Sequence, residues 1–271
     1  MTSPMTAPDA ASALSANAPL RGRTLVVMRP REQAASLSAR IRAAGGHALQ
    51  FPVIAVGPAL DPAPLEEVTA RLDAFDLAFF VSPNAANYAL QFILARRPWP
   101  AGLKVATVGK GSERVLRAYG FAEVIAPQQG FDSEAVIALP EFSAAAVAGR
   151  KVLILRGDGG RELLAETLRE RGASVEYVTC YRRSCPSLDP RLLLEPVARG
   201  EIDALLLTSS EGVRNLERML GTDGLAALRP VTVFATHPRI VAQARAAGFH
   251  VVVETPAGDE GLMQALVNHF G

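Results

Sequence analysis

Six short segments of this chain follow an apolar run with an abrupt change to small, hydroxyl-bearing or basic residues. They are Arg29-Pro30-Arg31, Ser82-Pro83-Asn84, Gly109-Lys110-Gly111-Ser112, Arg156-Gly157-Asp158-Gly159-Gly160-Arg161, Thr208-Ser209-Ser210-Glu211 and Thr236-His237-Pro238-Arg239. Each reads as the end of a strand opening into a helix. A helix N-terminus leaves backbone N–H groups unpaired and carries partial positive charge, so it suits carboxylates or phosphates. Guanidinium groups add forked donors matched to the same anions. Taken singly, each has an ordinary explanation: a serine there is a helix cap, and an arginine is solvated. The recurrence of the pattern is what points to a polyanion site. The 271 residues carry a formal net charge of only +1. The chain therefore lacks the broad basic field that nucleic acids require, and the anion affinity is local.

Other chemistries lack their residues. His47, His237, His250 and His269 make no metal-ligand spacing with Cys or acids, so no metal is expected. There is no G-x-S-x-G elbow. The Arg156 loop is glycine-rich, but it has neither the P-loop nor the dinucleotide spacing. His237, in a strand-end turn, is a candidate ligand contact. Tyr181 is a candidate proton donor through its phenol. Cys180 and Cys185 would lie on opposite faces of one strand with no distant partner, so no disulfide is expected and a reducing, cytoplasmic setting fits.

The elements that must position these residues are duplicated. Arg29 and Arg156, Ser82 and Ser209, and Val105 and Thr232 each close or open similar blocks, and each pair is separated by 127 residues. Phe131-Asp132-Ser133-Glu134 and Gly258-Asp259-Glu260 each open a short helix near the end of a half. The runs Leu25–Met28, Ala78–Val81, Val105–Val108, Val152–Leu155, Ala204–Leu207 and Val231–Phe234 read as parallel strands buried on both faces. Ala34, Leu37, Ile41 and Ala44 fall at helical spacing, as do Leu163, Leu164, Thr167 and Leu168. Alternating β and α implies two small parallel sheets flanked by helices. The segments His47–Ile54 and Ser174–Tyr181 are repeat mates that could pair as a bridge. In that case the first βα unit joins the later elements of the second half; two consecutive domains are the other solution. Pro186, Pro190 and Pro196 mark a loop. Residues 1–20 read as a disordered leader, neither signal peptide nor membrane span.

In their order and spacing these motifs resemble the uroporphyrinogen-III synthase family. The residues that carry the likeness are Leu25-Val26-Val27-Met28-Arg29-Pro30, Phe80-Val81-Ser82-Pro83-Asn84, Val105–Gly109, Asp132-Ser133-Glu134, Arg156-Gly157 with Arg161, Val178–Tyr181 and Thr208-Ser209. The resemblance implies two similar three-layer α/β domains with parallel sheets, joined by a two-stranded β-ladder. The expected layout is 21–48 with 183–271 as the first domain, 49–57 and 174–182 as linker, and 58–173 as the second domain. It implies a lyase that cyclises hydroxymethylbilane to uroporphyrinogen III with inversion of ring D, without cofactor. The expected partner is a linear tetrapyrrole polycarboxylate, handed over by hydroxymethylbilane synthase to a cytoplasmic monomer. Neither nucleic acid nor membrane is expected as a partner. The resemblance makes Tyr181 the catalytic candidate. The substrate-binding candidates are Arg29, Ser82, Pro83, Asn84, Gly109, Ser112, Arg156, Gly157, Arg161, Thr208, Ser209, Ser210, His237 and Arg239. Where the family often has Gly-x-x-Thr-Ala, this chain has Thr236-His237-Pro238-Arg239-Ile240, and Arg239 would replace a hydroxyl with a guanidinium. The competing readings are a two-domain small-anion binding protein and a nucleotide-dependent transferase.

Overall fold

The computed structural model describes residues 18–130, 132–159 and 162–271. In chain order the main elements are β1 (Thr24–Val27), α1 (Arg31–Ala43), β2 (His47–Gln50), β3 (Ala55–Pro58), α2 (Ala63–Ala70), β4 (Leu77–Phe80), α3 (Pro83–Leu94), β5 (Lys104–Thr107) and α4 (Lys110–Ala118). There follow α5 (Ser133–Ile137), α6 (Ala144–Val147), β6 (Lys151–Gly157), α7 (Leu163–Glu170), β7 (Ser174–Ser184), α8 (Arg191–Ala198), β8 (Ala204–Leu207), α9 (Ser210–Leu228), β9 (Thr232–Ala235), α10 (Pro238–Ala246), β10 (Val252–Glu254) and α11 (Gly258–Phe270). Most of the expected strands are displaced by a single residue.

The chain divides into two units. One comprises the described residues up to Ala55 together with Ser184–Gly271; the other is Val56–Arg183. The first unit has the sheet order β10-β9-β8-β1-β2, and the second β3-β7-β6-β4-β5. Thus β1 pairs in parallel with β8, which follows it by most of the chain length. Its repeat mate β6 pairs in parallel with β4. Each sheet is therefore built from the opening strands of one repeat and the later strands of the other. This is the discontinuous solution of the two that the repeat left open. The segment 174–182 lies within β7, which pairs with β6 from Ser174 opposite Lys151 to Tyr181 opposite Gly157. Residues 55–57 fall within β3, which neighbours β7 at the sheet edge.

A duplicated carboxylate stitches each exchange together. Asp203 accepts from the backbone N–H of Thr24 at 2.8 Å and from Arg23 Nη1 at 2.9 Å. Its repeat mate Asp76 accepts from the backbone N–H of Lys151 and from Arg150 Nη1, both at 2.8 Å. The Lys151 amide and then Arg150 hold the Asp76 carboxyl below its usual range. So the Gly-Arg and apolar-Asp motifs of the repeat fasten the starts of neighbouring strands, far from the strand ends that carry the candidate site.

The strands are buried on both faces because helices cover each side. In the first unit Leu25, Val27, Leu206 and Phe234 pack with Leu37 and Ile41 of α1 and Leu262 and Leu266 of α11. In the second unit Ala78, Phe80, Leu153 and Leu155 pack with Ala86, Leu90 and Ile93 of α3. The alternate residues Phe79, Val152 and Ile154 pack with Val136 of α5 and Leu164 and Leu168 of α7. Leu163, expected on this face, is exposed, and Ala165 takes its place.

Three further expectations need correction. Leu20, expected in a disordered leader, is ordered: its side chain is fully buried in the core of the first unit and its N–H donates to Ala44 O. Residues 1–17 lie outside the described residues. Pro190 and Pro196 do not mark a loop: the first caps α8 and the second lies in its last turn, where the missing N–H removes only one helix bond. The Gly258 helix is not short, because its face carrying Leu262 and Leu266 has core to bury.

Candidate functional site

In an open parallel sheet, ligands bind beyond the carboxyl ends of the strands, where the winding direction reverses. In the second unit that reversal falls between β4 and β6. Ser82 follows β4, and Arg156-Gly157 closes β6. In the first unit it falls between β1 and β8, flanked by Arg29 and by Thr208-Ser209-Ser210. Within each unit, the candidate residues therefore collect at one sheet edge.

In the second unit, Ser82 is the N-cap of α3. Its Oγ accepts from the Ala85 N–H at 3.1 Å and donates to Tyr181 Oη at 3.2 Å. Because the serine supplies that proton, the tyrosine keeps its own O–H to donate elsewhere. Pro83 and Asn84 form the first turn of α3, where proline's missing N–H costs nothing. The Tyr181 ring is buried at 4 % exposure and stacks on Tyr88, with centroids 6.1 Å apart. Tyr88 in turn donates to Val56 O at 3.1 Å.

How Tyr181 reaches that position was hidden in the sequence. Along β7 the partners run Arg156 opposite Thr179, then Gly157 opposite Tyr181, so β7 carries one extra residue, Cys180. Strand alternation alone would place Tyr181 on the same face as Tyr177. The bulge turns it to the other face, into the cluster with Phe80, Leu155 and Ala85. Gly157 makes room: a Cβ there would lie 2.7 Å from Tyr181 Cζ. Cys180 is buried, and burial pushes its thiol up to about 12, so it stays a neutral packing group. Cys185 lies beyond β7 and in the other unit, so the expectation of two faces of one strand does not hold; both thiols are free.

On the opposite face, Arg156 Nη1 donates to Glu162 Oε1 at 2.7 Å, and the guanidinium lies 3.9 Å from the centre of the Tyr177 ring. Arg156 first, then the nearby Tyr177 hydroxyl, holds the Glu162 carboxyl below its usual range. Burial first, then Glu162, pushes the Tyr177 phenol up to about 12. The two groups are close without regular hydrogen-bond geometry, since Tyr177 Oη has no hydrogen-bond partner among the described residues. Gly109 caps α4 in an extended conformation, and Ser112 is buried within the first turn of that helix. Arg161 lies outside the described residues.

In the first unit, Arg29 is ion-paired with Asp259 in the first turn of α11. Ser209 caps α9, accepting from the Gly212 N–H at 2.9 Å. Ser210 Oγ is buried without a partner among the described residues, and Thr208 precedes the cap. His237 caps α10 through Nδ1, which accepts from the Arg239 N–H at 3.1 Å. The Arg239 side chain is exposed. Sequence reasoning missed the two carboxylates, Asp259 and Glu162, that hold the repeat-related Arg29 and Arg156. The acidic residue at each position was visible, but the pairings are tertiary.

Fold and site together define a two-unit α/β protein whose strand ends present hydroxyl, guanidinium and helix-start donors in both units. Among the described residues, no helix is long and apolar enough to cross a membrane. The family model described as uroporphyrinogen-III synthase HemD matches residues 35–264. A uroporphyrinogen-III synthase of Synechococcus elongatus is 31% identical over 232 residues, covering 83% of this chain and 86% of the relative. The Escherichia coli enzyme of that name is 31% identical over 194 residues, covering 71% and 78%. The chain belongs to the uroporphyrinogen-III synthase family. Two solved structures share its fold: uroporphyrinogen-III synthetase from Helicobacter pylori (TM-score 0.57, 12% identity, 92% of this chain and 100% of that one), and a mutant uroporphyrinogen III synthase from Thermus thermophilus (TM-score 0.54, 18% identity, 91% and 98%).

Proposed function

We propose that the chain is a lyase that cyclises hydroxymethylbilane to uroporphyrinogen III with loss of one water, and that Tyr181 assists the departure of the hydroxyl. The single observation that carries the site assignment is the Ser82–Tyr181 hydrogen bond at the winding reversal of its sheet.

The chemistry follows from the substrate. Hydroxide is a poor leaving group, so the ring-A hydroxyl must be protonated as its C–O bond breaks, and the product is water. The electron pair of the pyrrole nitrogen fills the gap and leaves an azafulvene. Tyr181 supplies the proton, and the phenolate oxygen that forms is met by the hydroxyl of Ser82. The azafulvene is then attacked by the substituted carbon of ring D. The resulting spiro intermediate rearranges, inverting that ring, and the proton released as the macrocycle closes returns the phenolate of Tyr181 to its phenol. Eight carboxylates on the substrate call for donors rather than for one strong base. Arg29, Thr208, Ser209, Ser210, His237 and Arg239 in one unit, and Ser82, Pro83, Asn84, Gly109, Ser112, Arg156, Gly157 and Arg161 in the other, are the proposed contacts. Backbone N–H groups at the helix starts contribute beside them. The unaided bilane closes to the unrearranged isomer, so the protein's main task is orientation.

A substrate this labile is best supplied directly by hydroxymethylbilane synthase, to a cytoplasmic monomer working without a cofactor. The test is to give the purified protein fresh hydroxymethylbilane and identify the uroporphyrinogen isomer. Isomer III supports the reading; isomer I alone ends it.

A further inference from the structure

On the side of the second unit's sheet that α5 and α7 cover, a hollow of about 280 Å³ opens beside the end of β6. Phe79, Val81, Ile154 and Leu164 give it apolar walls, and Arg156, Tyr177 and Ser133 bring polar atoms to it, as does Asp132, whose Oδ1 already accepts from the Ala135 N–H at 2.8 Å. Sites for drug-sized ligands begin at about 300 Å³, so this one admits a single small ring with its substituent and no extended molecule. Tyr181 does not line it, because the bulge in β7 sends that side chain to the other face of the sheet.

Two donors at this hollow are buried without a regular hydrogen bond among the described residues: Arg156 Nε, and Tyr177 Oη, which the Glu162 carboxylate approaches without regular geometry. Buried donors are almost always satisfied, and an exception calls for an explanation. Here both belong to one cavity, and both are of the kind that an anionic oxygen would satisfy. Arg156 is already oriented by stacking on Tyr177. It spends one N–H on Glu162, an exposed residue at the head of α7, whose carboxylate can move into solvent at small cost.

We propose that this hollow is a subsite for one flat heteroaromatic ring bearing a carboxylate, and that Arg156 exchanges Glu162 for the ligand's carboxylate as the ring enters. Glu162 is a stand-in ligand: it keeps the guanidinium in place and competes with weaker anions. The inference rests on the synthase reading only in taking that ring to be one pyrrole of the bilane.

The experiment titrates the full chain with pyrrole-2-carboxylate, followed by NMR chemical shifts, with pyrrole-2-carboxamide and acetate as comparisons. The expected result is saturable binding of the ring acid that shifts resonances of Tyr177 and Leu164, with at least roughly tenfold weaker binding of the amide and of acetate. Arg156→Gln is expected to weaken the acid about tenfold or more. Glu162→Gln is expected to tighten it about threefold to tenfold, a gain that misfolding does not produce. Absence of binding by the wild type, equal binding of the amide, or a Glu162→Gln variant that binds no more tightly overturns the proposal. Isomer III formed by a wild type that ignores the ring acid removes the subsite alone. Isomer I removes the synthase reading and leaves the titration to stand for itself.

Discussion

Replacing Gly157 by alanine tests the placement of Tyr181 with one methyl group. Gly157 has no positive-φ strain to relieve, so the consequence is one of contact. The new Cβ would lie 2.7 Å from Tyr181 Cζ and 3.0 Å from both Cε atoms. Reaching an ordinary 3.4 Å contact means a retreat of about 0.7 Å by a ring held in place by Tyr88 and by burial. Overpacking of this kind costs about 1–3 kcal/mol. At roughly 2–4 °C per kcal/mol for a chain of this class, the melting temperature should fall by several degrees. The same displacement lengthens the 3.2 Å bond from Ser82. A misplacement approaching 1 Å can cost about a hundredfold in rate, so turnover of hydroxymethylbilane should fall between tenfold and a hundredfold. Calorimetry and a discontinuous isomer assay read the two effects on one preparation. If Gly157→Ala melts within a degree of wild type and turns over within twofold, the ring is not held as described and the argument for Tyr181 fails with it.

Three other outcomes follow from the same structure. Tyr181→Phe keeps the ring and removes the proton; turnover should drop roughly tenfold to a hundredfold with the fold intact, and a rate within twofold of wild type would remove the acid role. Leu20→Ala empties a fully buried position in the first unit and should cost about 2–5 kcal/mol in denaturant unfolding; a loss under 1 kcal/mol would show that Leu20 does not belong to the core. Asp76 has a depressed carboxyl pKa, so its contribution is present above the unfolded value and disappears as pH falls through the folded one. Asp76→Asn should lower stability at pH 7 by about 0.5–1 kcal/mol, discounted for its partly exposed partner, and the gap to wild type should close toward pH 3. A gap that widens in acid would contradict this sign.

The strands and the duplication were legible because their signals are local. Val152–Leu155 and Ala204–Leu207 are short apolar runs, and a constant separation between like motifs survives any fold. The exchange between halves and its alternative, two consecutive domains, were both visible, but choosing between them required the pairing of Leu25 with Ala204, a contact that leaves no mark on either strand. Strand-end positions such as Ser82 and Ser209 were found because a cap and a donor use the same residue types. The orientation of Tyr181 was not legible. Cys180 looks like any strand residue, and only the changed register after Arg156 shows that it is the extra one. The partners of Arg29 and Arg156 were missed for a related reason: Asp259 sits in a helix first turn and Glu162 at a helix N-cap, where an acidic residue is already explained by the helix dipole. Leu20 was lost in a stretch whose composition argued for disorder, since one buried side chain does not alter an average.

The exchanged halves impose a schedule on the ribosome. The sheet begun first is finished last: β1 and β2 emerge early, yet the second edge of β1 has no partner until Ala204–Leu206 have been translated. All five strands of the other sheet lie before residue 185, so that lobe can close while the nascent chain still carries an unpaired, apolar strand pair behind it. Such an edge is a site for mispairing with another chain. A gene split at the repeat boundary near Gly149 would yield two polypeptides that each lack half of both sheets, able to fold only by trading strands with each other.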